Sequence, residues 1–469
     1  MSEPQPRPAF SQAYRADPRI LDLGDEFYDR VAAADFPRTT LRFRNQRQAA
    51  TVGLGALDEA QWLGHFGRFE PLPDNLREPL ALRYHGHQFR VYNPDIGDGR
   101  GFLFAQLRDA QDRLLDLGTK GSGITPWSRS GDGRLTLKGG VREILATEML
   151  EALGVNSSKT FSLIETGEAL HRGDEPSPTR SAVLVRLQHS HIRIGTFQRL
   201  AFLKQPDAMR RLVDWCLRTL YDEEPGADAP ARLLSLVVDR TAKLAASYAA
   251  AGFVHGVLNS DNIAITAQSF DYGPWRFTPT WDPDFTAAYF DHQGLYAFGR
   301  QAQAIHWDVV QLAVSLRLIG DVDPLTAALE PFSRLYNLAA RDALFARLGV
   351  APRDETEDMA LVAALVTGLG ASGALIDRFF FDWRGGVLRR PSANYDGEAF
   401  AAFRDAVAPY AGALPSGDYW DDAAPCSMHI EEVEAIWAAI DARDDWGPFN
   451  AKIEAVRRMG EALGGSNDA

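Results

Sequence analysis

The chain has 469 residues, 45% hydrophobic and 24% charged, enough for a sizeable core and, by length alone, two to three domains. Its 63 acidic and 49 basic side chains leave a net charge of −14, which excludes the broad basic face that non-specific nucleic-acid binding requires. Two cysteines, Cys216 and Cys426, cannot build a disulfide framework or a cysteine-rich zinc site.

The opening residues carry Pro4, Pro6 and Pro8 and no apolar run of leader length, while Glu3 and Asp17 speak against a transit peptide. With no uninterrupted apolar stretch of bilayer length, a soluble, cytoplasmic protein without a membrane partner is expected. Residues 59–66 have a helical pattern. Strand signals then dominate from 80 to 200. Residues 102–107 and 113–120 form the two arms of an expected hairpin, turned at 109–112. Val141, Ile144, Leu145, Met149 and Leu153 recur at helical spacing, with Gly154 placed to stop the helix. Residues 162–165 and 181–187 are two further strands. Beyond 205 the pattern is helical. Leu234, Val237, Val238, Thr241, Leu244, Ala245 and Tyr248 form one stripe within 231–251, and helices are expected at 307–318, 325–348 and 359–369. A Gly/Pro/Asp-rich run at 415–425 precedes two more, at 430–442 and 450–463.

Several groups along this order can carry chemistry. Gly97-Asp98-Gly99-Arg100 and Asp132-Gly133-Arg134 could let backbone N–H groups approach an anion, although Asp-Gly is equally a hairpin-turn signal. Lys120 ends a hairpin strand and is followed by a helix carrying Glu143, the arrangement of the ion pair that fixes ATP phosphates in kinases; Lys138 and Glu148 compete for the same roles. Arg186 and Arg193 near one strand end could clamp a phosphate or could form surface ion pairs. The pairs His85/His87 and His189/His191 lack a third ligand at useful spacing, so structural roles are expected.

The most informative segment is His255-Gly-Val-Leu-Asn-Ser-Asp261-Asn262, followed by Ile263-Ala-Ile265 and Asp271-Tyr-Gly273. A kinase reads His-Arg-Asp, four residues, Asn, then Asp-Phe-Gly. Here His255 and Asn262 keep that spacing, but Val257 stands where the base belongs and cannot accept a proton. Asp261 appears directly before the Asn instead. Asn262 and Asp271, joined by a β-branched strand, supply oxygen ligands of the kind magnesium prefers. The expected fold class is α+β, a two-lobed protein-kinase-like fold. Its parts are an N-terminal extension (1–80), a strand-rich N-lobe (81–203), a helical C-lobe (204–415) and a C-terminal helical appendage (416–469).

Read together, Tyr84-His-Gly-His-Gln-Phe89, Val91-Tyr-Asn-Pro94, Gly97-Asp-Gly-Arg100, Lys120-Gly-Ser-Gly-Ile-Thr-Pro126, Asp132-Gly-Arg134, Val141-Arg-Glu143, the 255–262 and 271–274 runs and Tyr296-Ala-Phe-Gly-Arg-Gln301 resemble the selenoprotein O family. The resemblance implies a kinase-fold enzyme that transfers AMP from ATP to Ser, Thr or Tyr hydroxyls of proteins. The nucleotide would be bound in reverse, with its triphosphate buried and its α-phosphate facing the acceptor. It implies that Lys120 pairs with Glu143 and holds phosphate, and that Gly97, Gly99, Arg100, Asp132 and Gly133 surround the nucleotide. Arg186 and Arg193 would grip the buried phosphates, Asp261 would be the general base, and Asn262 and Asp271 would ligate Mg2+, with Mn2+ the alternative. The chain departs from the family in having no cysteine at 289–292 or near its end. Redox gating by an internal disulfide is therefore not expected. A conventional phosphotransferase and a non-catalytic nucleotide-binding pseudokinase scaffold are the competing readings.

Overall fold

The computed structural model describes residue 11 and residues 13–173 and 175–464, so Glu3, Pro4, Pro6, Pro8 and the last five residues lie outside the described part. In chain order the strand-rich part contains β1 (Tyr28–Arg30), β2 (Thr40–Arg44), α1 (Gln46–Thr51), α2 (Glu59–Gly67), β3 (Leu80–Leu82), β4 (Gly86–Gln88), β5 (Val91–Asn93), β6 (Leu103–Arg108), β7 (Leu114–Lys120), β8 (Leu135–Thr136), α3 (Leu137–Ala152), β9 (Lys159–Leu170) and β10 (Thr179–Gln188). Eight of these strands form one antiparallel sheet in the order β1-β3-β6-β7-β10-β9-β2, with β8 paired to β10. Residues 28–44, from the first 80, thus supply both edge strands. The expected hairpin is β6–β7, and the strands expected at 162–165 and 181–187 fall within β9 and β10.

Each face of this sheet is covered for a reason legible in the side chains. The α3 helix is capped by Thr136, whose hydroxyl accepts from Gly139 N–H, and it buries Val141, Ile144, Leu145 and Met149 completely. Each such side chain stabilises the fold by about 1.5–3 kcal/mol. Trp62 and Phe66 of α2 pack with Phe104 and Phe161 in a second, separate apolar cluster.

The helical part contains α4 (Ile194–Phe202), α5 (Pro206–Leu220), α6 (Ala229–Ala251), the short pair β11 (Phe253–Val254) and β12 (Arg276–Phe277), α7 (Gln301–Leu316), α8 (Val322–Leu329), α9 (Phe332–Leu348), α10 (Glu355–Ser372), α11 (Ile376–Asp382), α12 (Ala401–Val407), α13 (Asp418–Asp421), α14 (Ile430–Arg443) and α15 (Gly447–Ala462). The single helix expected at 325–348 is two helices, because Pro331 has no N–H to donate and its ring collides with the preceding turn, so α9 starts anew after it. The strand expected between Asn262 and Asp271 is reduced to a bridge, Ile194 N–H to Ile263 O and Ile265 N–H to Ile192 O. The chain turns away at Ala267, which has a positive φ of 56°.

The last helix is fastened to the sheet region by charge. Glu148 of α3, almost fully buried, accepts two 2.7 Å bonds from the Arg457 guanidinium of α15. Glu148→Ala leaves Arg457 without that partner and should destabilise the protein by about 2–3 kcal/mol, below the usual figure for a buried pair because Arg457 is partly exposed. A urea midpoint equal to wild type would contradict this brace.

Candidate active site

Separate segments of the chain deliver charged side chains to one place. Lys120 is the last residue of β7, and its Nζ lies 2.7 Å from Glu143 Oε2 on α3 and 3.1 Å from Asp271 Oδ1. Arg186 projects from β10, opposite Gly118, and its Nη1 lies 3.3 Å from Glu143 Oε1 and 3.4 Å from Asp271 Oδ1. Arg193, just before α4, reaches Asp98 Oδ1 at 3.0 Å, Asp271 Oδ2 at 3.4 Å and the Asp261 carbonyl at 3.1 Å. Its guanidinium lies between the rings of Tyr84 and Phe270, at 4.4 and 4.8 Å. The sequence alternatives resolve by distance. Glu148 belongs to the α15 brace, and Lys138 pairs with Glu434 at 2.7 Å.

These groups border a cavity of about 700 Å3 lined by Gly97, Gly99, Arg100, Lys120, Asp132, Gly133, Arg186, Arg193, Asp261 and Asp271. Glu143 stands behind Lys120, outside the lining. Asn262 is also outside it; its Nδ2 donates to Val257 O at 3.0 Å, which leaves the carboxamide oxygen unused by that bond. Arg100 and Arg129 line the cavity with no ion pair within 4 Å among the described residues. Gly97 has a steric reason to be glycine, since a Cβ there would come within 2.5 Å of the Trp127 ring. That indole donates to Asp29 of β1 at 2.9 Å, so the edge strand helps fix the glycine-rich loop.

The segment from His255 to Asp271 is held from several sides. His255 Nε2 lies 3.0 Å from Phe270 O, directly before Asp271, and burial pushes this imidazole below its usual pKa. Asp271 has a left-handed φ of 64°, and its carboxylate is caught by three cations. Burial alone would raise its pKa, but Lys120, Arg186, Arg193 and Arg100 outweigh that and hold it well below the carboxylate range. Asp261 behaves oppositely. Burial pushes it up to about 7; the Asp271 charge adds to this and Arg193 opposes it. Its Oδ1 has no hydrogen-bond partner, and Gly86 lies so close that a Cβ would meet this oxygen at 2.8 Å. Two carboxylates in one cavity therefore have their pKa values pushed in opposite directions.

The histidine pairs are structural. His85 bonds Tyr92, His87 bonds Gln198, and His191 meets Asp116 at 3.1 Å. Among the described residues no cluster of three His, Cys, Asp or Glu side chains has metal-site geometry. No helix among them is long and apolar enough to cross a membrane. Sequence reasoning missed Tyr84, Asp98, Trp127, Arg129 and Phe270. Asp98 sat inside the glycine-rich run 97–100 already singled out, whereas Arg129 and the faces of the aromatic rings gave no local signal.

The sequence has parallels among known proteins. A family model described as protein adenylyltransferase SelO matches residues 11–391. A protein nucleotidyltransferase YdiU of Gloeobacter violaceus is 44% identical over 467 residues, spanning 94% of this chain and 95% of its own. One from Synechocystis is 40% identical over 468 residues, spanning 94% and 97%, and one from Vibrio cholerae is 39% identical over 338 residues, spanning 72% and 68%. With a family match over most of its length and relatives this similar from end to end, the chain belongs to the protein adenylyltransferase SelO family.

Proposed function

We propose that the chain is an ATP-dependent protein adenylyltransferase, moving AMP to a Ser, Thr or Tyr hydroxyl of a protein. The observation that carries the reading is the chain of buried ion pairs Glu143–Lys120–Asp271–Arg193–Asp98, closed by Arg186, along a cavity that also holds an unpartnered Asp261 oxygen. Anionic phosphates are the chemistry such a cationic, enclosed wall would recognise. In this reading the triphosphate enters tail first, gripped by the buried Arg186 and Arg193, with the α-phosphate facing Asp261. Lys120, braced by Glu143, would hold phosphate beside them, with Gly97, Gly99, Arg100, Asp132 and Gly133 around the nucleotide.

The oxygens of Asn262 and Asp271 suit a hard divalent ion, Mg2+ or Mn2+, which habitually completes its shell with phosphate oxygens and water. Such an ion would neutralise phosphate charge when bound. Asp261, with a pKa about 7, is poised to accept the acceptor's hydroxyl proton. The hydroxyl oxygen then bonds the α-phosphorus and pyrophosphate leaves. We assign this site to the junction of a two-lobed kinase-like layout, with residues 81–203 as the strand-rich lobe and 204–415 as the helical lobe. Residues 1–80 and 416–469 are extensions, the first adding edge strands to the sheet.

Label position tests the reading. With α-labelled ATP the protein fraction should become radioactive, and intact mass should rise by one AMP. Incorporation from γ-labelled ATP instead would support a conventional phosphotransferase. ATP binding with no transfer from either would support a scaffold.

A further inference from the structure

The β4–β5 hairpin turns through Phe89 and Arg90, whose φ values are 50° and 64°. A turn of this kind normally takes Asn-Gly, because a Cβ in the left-handed region costs about 1–2 kcal/mol per residue. Strain of this sort persists where surrounding contacts enforce it, and here they do. Phe89 N–H donates to Asn259 Oδ1 at 3.0 Å, and His87 N–H donates to Ser260 Oγ at 2.7 Å. Tyr296 O–H donates to the same Asn259 oxygen at 2.7 Å. The hairpin is thus clamped to the segment that carries Asp261, and Gly86 at its start leaves no room for a Cβ beside that carboxylate.

A second cleft, of about 670 Å3, opens on this hairpin and shares no lining residue with the nucleotide cavity. Phe89, Arg90, Phe290, His292 and Arg300 line it. Its charges do not cancel internally. Arg90 lies over the Trp307 ring at 5.4 Å and makes no ion pair within 4 Å among the described residues. Arg300 has one loose pair, 3.7 Å to the highly exposed Asp284. Asp291, the carboxylate in the wall, is used by the backbone N–H groups of Leu295 and Tyr296, each at 2.8 Å. Tyr289 and Phe290 are 80% and 41% exposed at the rim, beside the Phe89 ring. Two accessible arginines next to exposed aromatic rings stand out on a chain of net charge −14.

We propose that this cleft seats the acceptor protein, on the stretch of chain beside the modified hydroxyl, and that it selects an acidic side chain next to a large apolar one. The proposal rests on the transferase reading above. Any polypeptide that brings a hydroxyl to Asp261 must continue past the loop that carries it, and this cleft opens on the hairpin clamped to that loop, outside the nucleotide cavity. Arg90 supplies the charge contact, and Phe89 with Phe290 supplies the apolar one. The strained turn keeps Arg90 at the mouth, where an unstrained glycine turn would present no side chain.

Two synthetic peptides test it on the full chain with Mg2+ and α-labelled ATP. Both contain a Ser-Thr-Tyr acceptor core; one is flanked by Asp and Phe, its twin by Lys and Phe. The acidic peptide should be labelled with a kcat/KM about tenfold or more above its twin. Arg90→Gly should relax the turn and raise Tm while removing the preference, and Arg90→Glu should reverse it. A merely structural Arg90 would change stability alone. Arg300→Glu should weaken the preference independently, and the ATP-induced rise in Tm reports that each variant still folds and binds nucleotide. Equal labelling of the peptides, a preference that survives Arg90→Glu, or self-labelling of the enzyme with neither peptide modified overturns the docking proposal while leaving the transferase reading intact. No α-label on enzyme or peptide overturns both.

Discussion

Replacing Asp271 by alanine should lower AMP transfer by about 10²–10³-fold or more, the scale of losing a group that organises charge at the reacting phosphate. The variant separates two properties of the site. In wild type both Asp271 oxygens are engaged, by Lys120 at 3.1 Å and by Arg186 and Arg193 at 3.4 Å. Alanine leaves three buried cations facing one another, so the nucleotide-free protein should be less stable, by a few kcal/mol on the scale of broken buried pairs. The cations retain Glu143 and Asp98, however, and phosphate oxygens can replace the lost carboxylate. ATP in the presence of EDTA should therefore still raise Tm, by at least as much as in wild type. Activity within tenfold of wild type would remove Asp271 from the reaction. Loss of the metal-free ATP shift would mean that the three cations do not face the phosphates.

The second large effect is expected at Asp261. Asp261→Asn should cut transfer by about 10²–10⁴-fold, the contribution of a positioned general base. The pH dependence is the sharper test. With the carboxyl pushed up to about 7 by burial, kcat/KM should rise with pH through that value and level off above it. The asparagine variant should lose the rising limb. Stability should move the other way. The folded protein holds this proton more tightly than the unfolded chain, whose pKa is near 3.8, so the contribution is full below that pH and is gone once pH passes about 7. Thermal unfolding between pH 5 and 8 should therefore show wild type losing stability relative to Asp261→Asn. A parallel pair of curves would contradict the raised pKa.

The two variants also distinguish neighbours that look alike in the sequence. Asp261 and Asp271 are both aspartates of the kinase-like segment. Only the second faces three cations at contact distance, and only the first has an oxygen without a partner.

Much of the scaffold was legible from local pattern. The β6–β7 hairpin, the α3 stripe and the long α6 stripe come from alternation and helical spacing, which survive folding because each depends on one element meeting the core. Where local pattern failed, a backbone constraint overrode it. Pro331 cut one apolar stripe into two helices, and the turn at Ala267 shortened the strand after Asn262. Edge strands β1 and β2 were missed because short, half-buried edge segments carry little alternation.

For the site, residue type and spacing, together with the family resemblance, picked out Lys120, Glu143, Arg186, Arg193, Asp261, Asn262 and Asp271 as candidates. Only the tertiary structure decided that Lys120 meets Glu143 and that Glu148 binds Arg457. It alone decided that residues from 98 to 271 share one cavity, that Asn262 stands outside its lining, and that burial raises the pKa of Asp261 while neighbouring cations lower that of Asp271. The physical reason is that spacing specifies neighbours within an element, whereas desolvation and Coulomb energies depend on distances across the fold, between groups far apart along the chain.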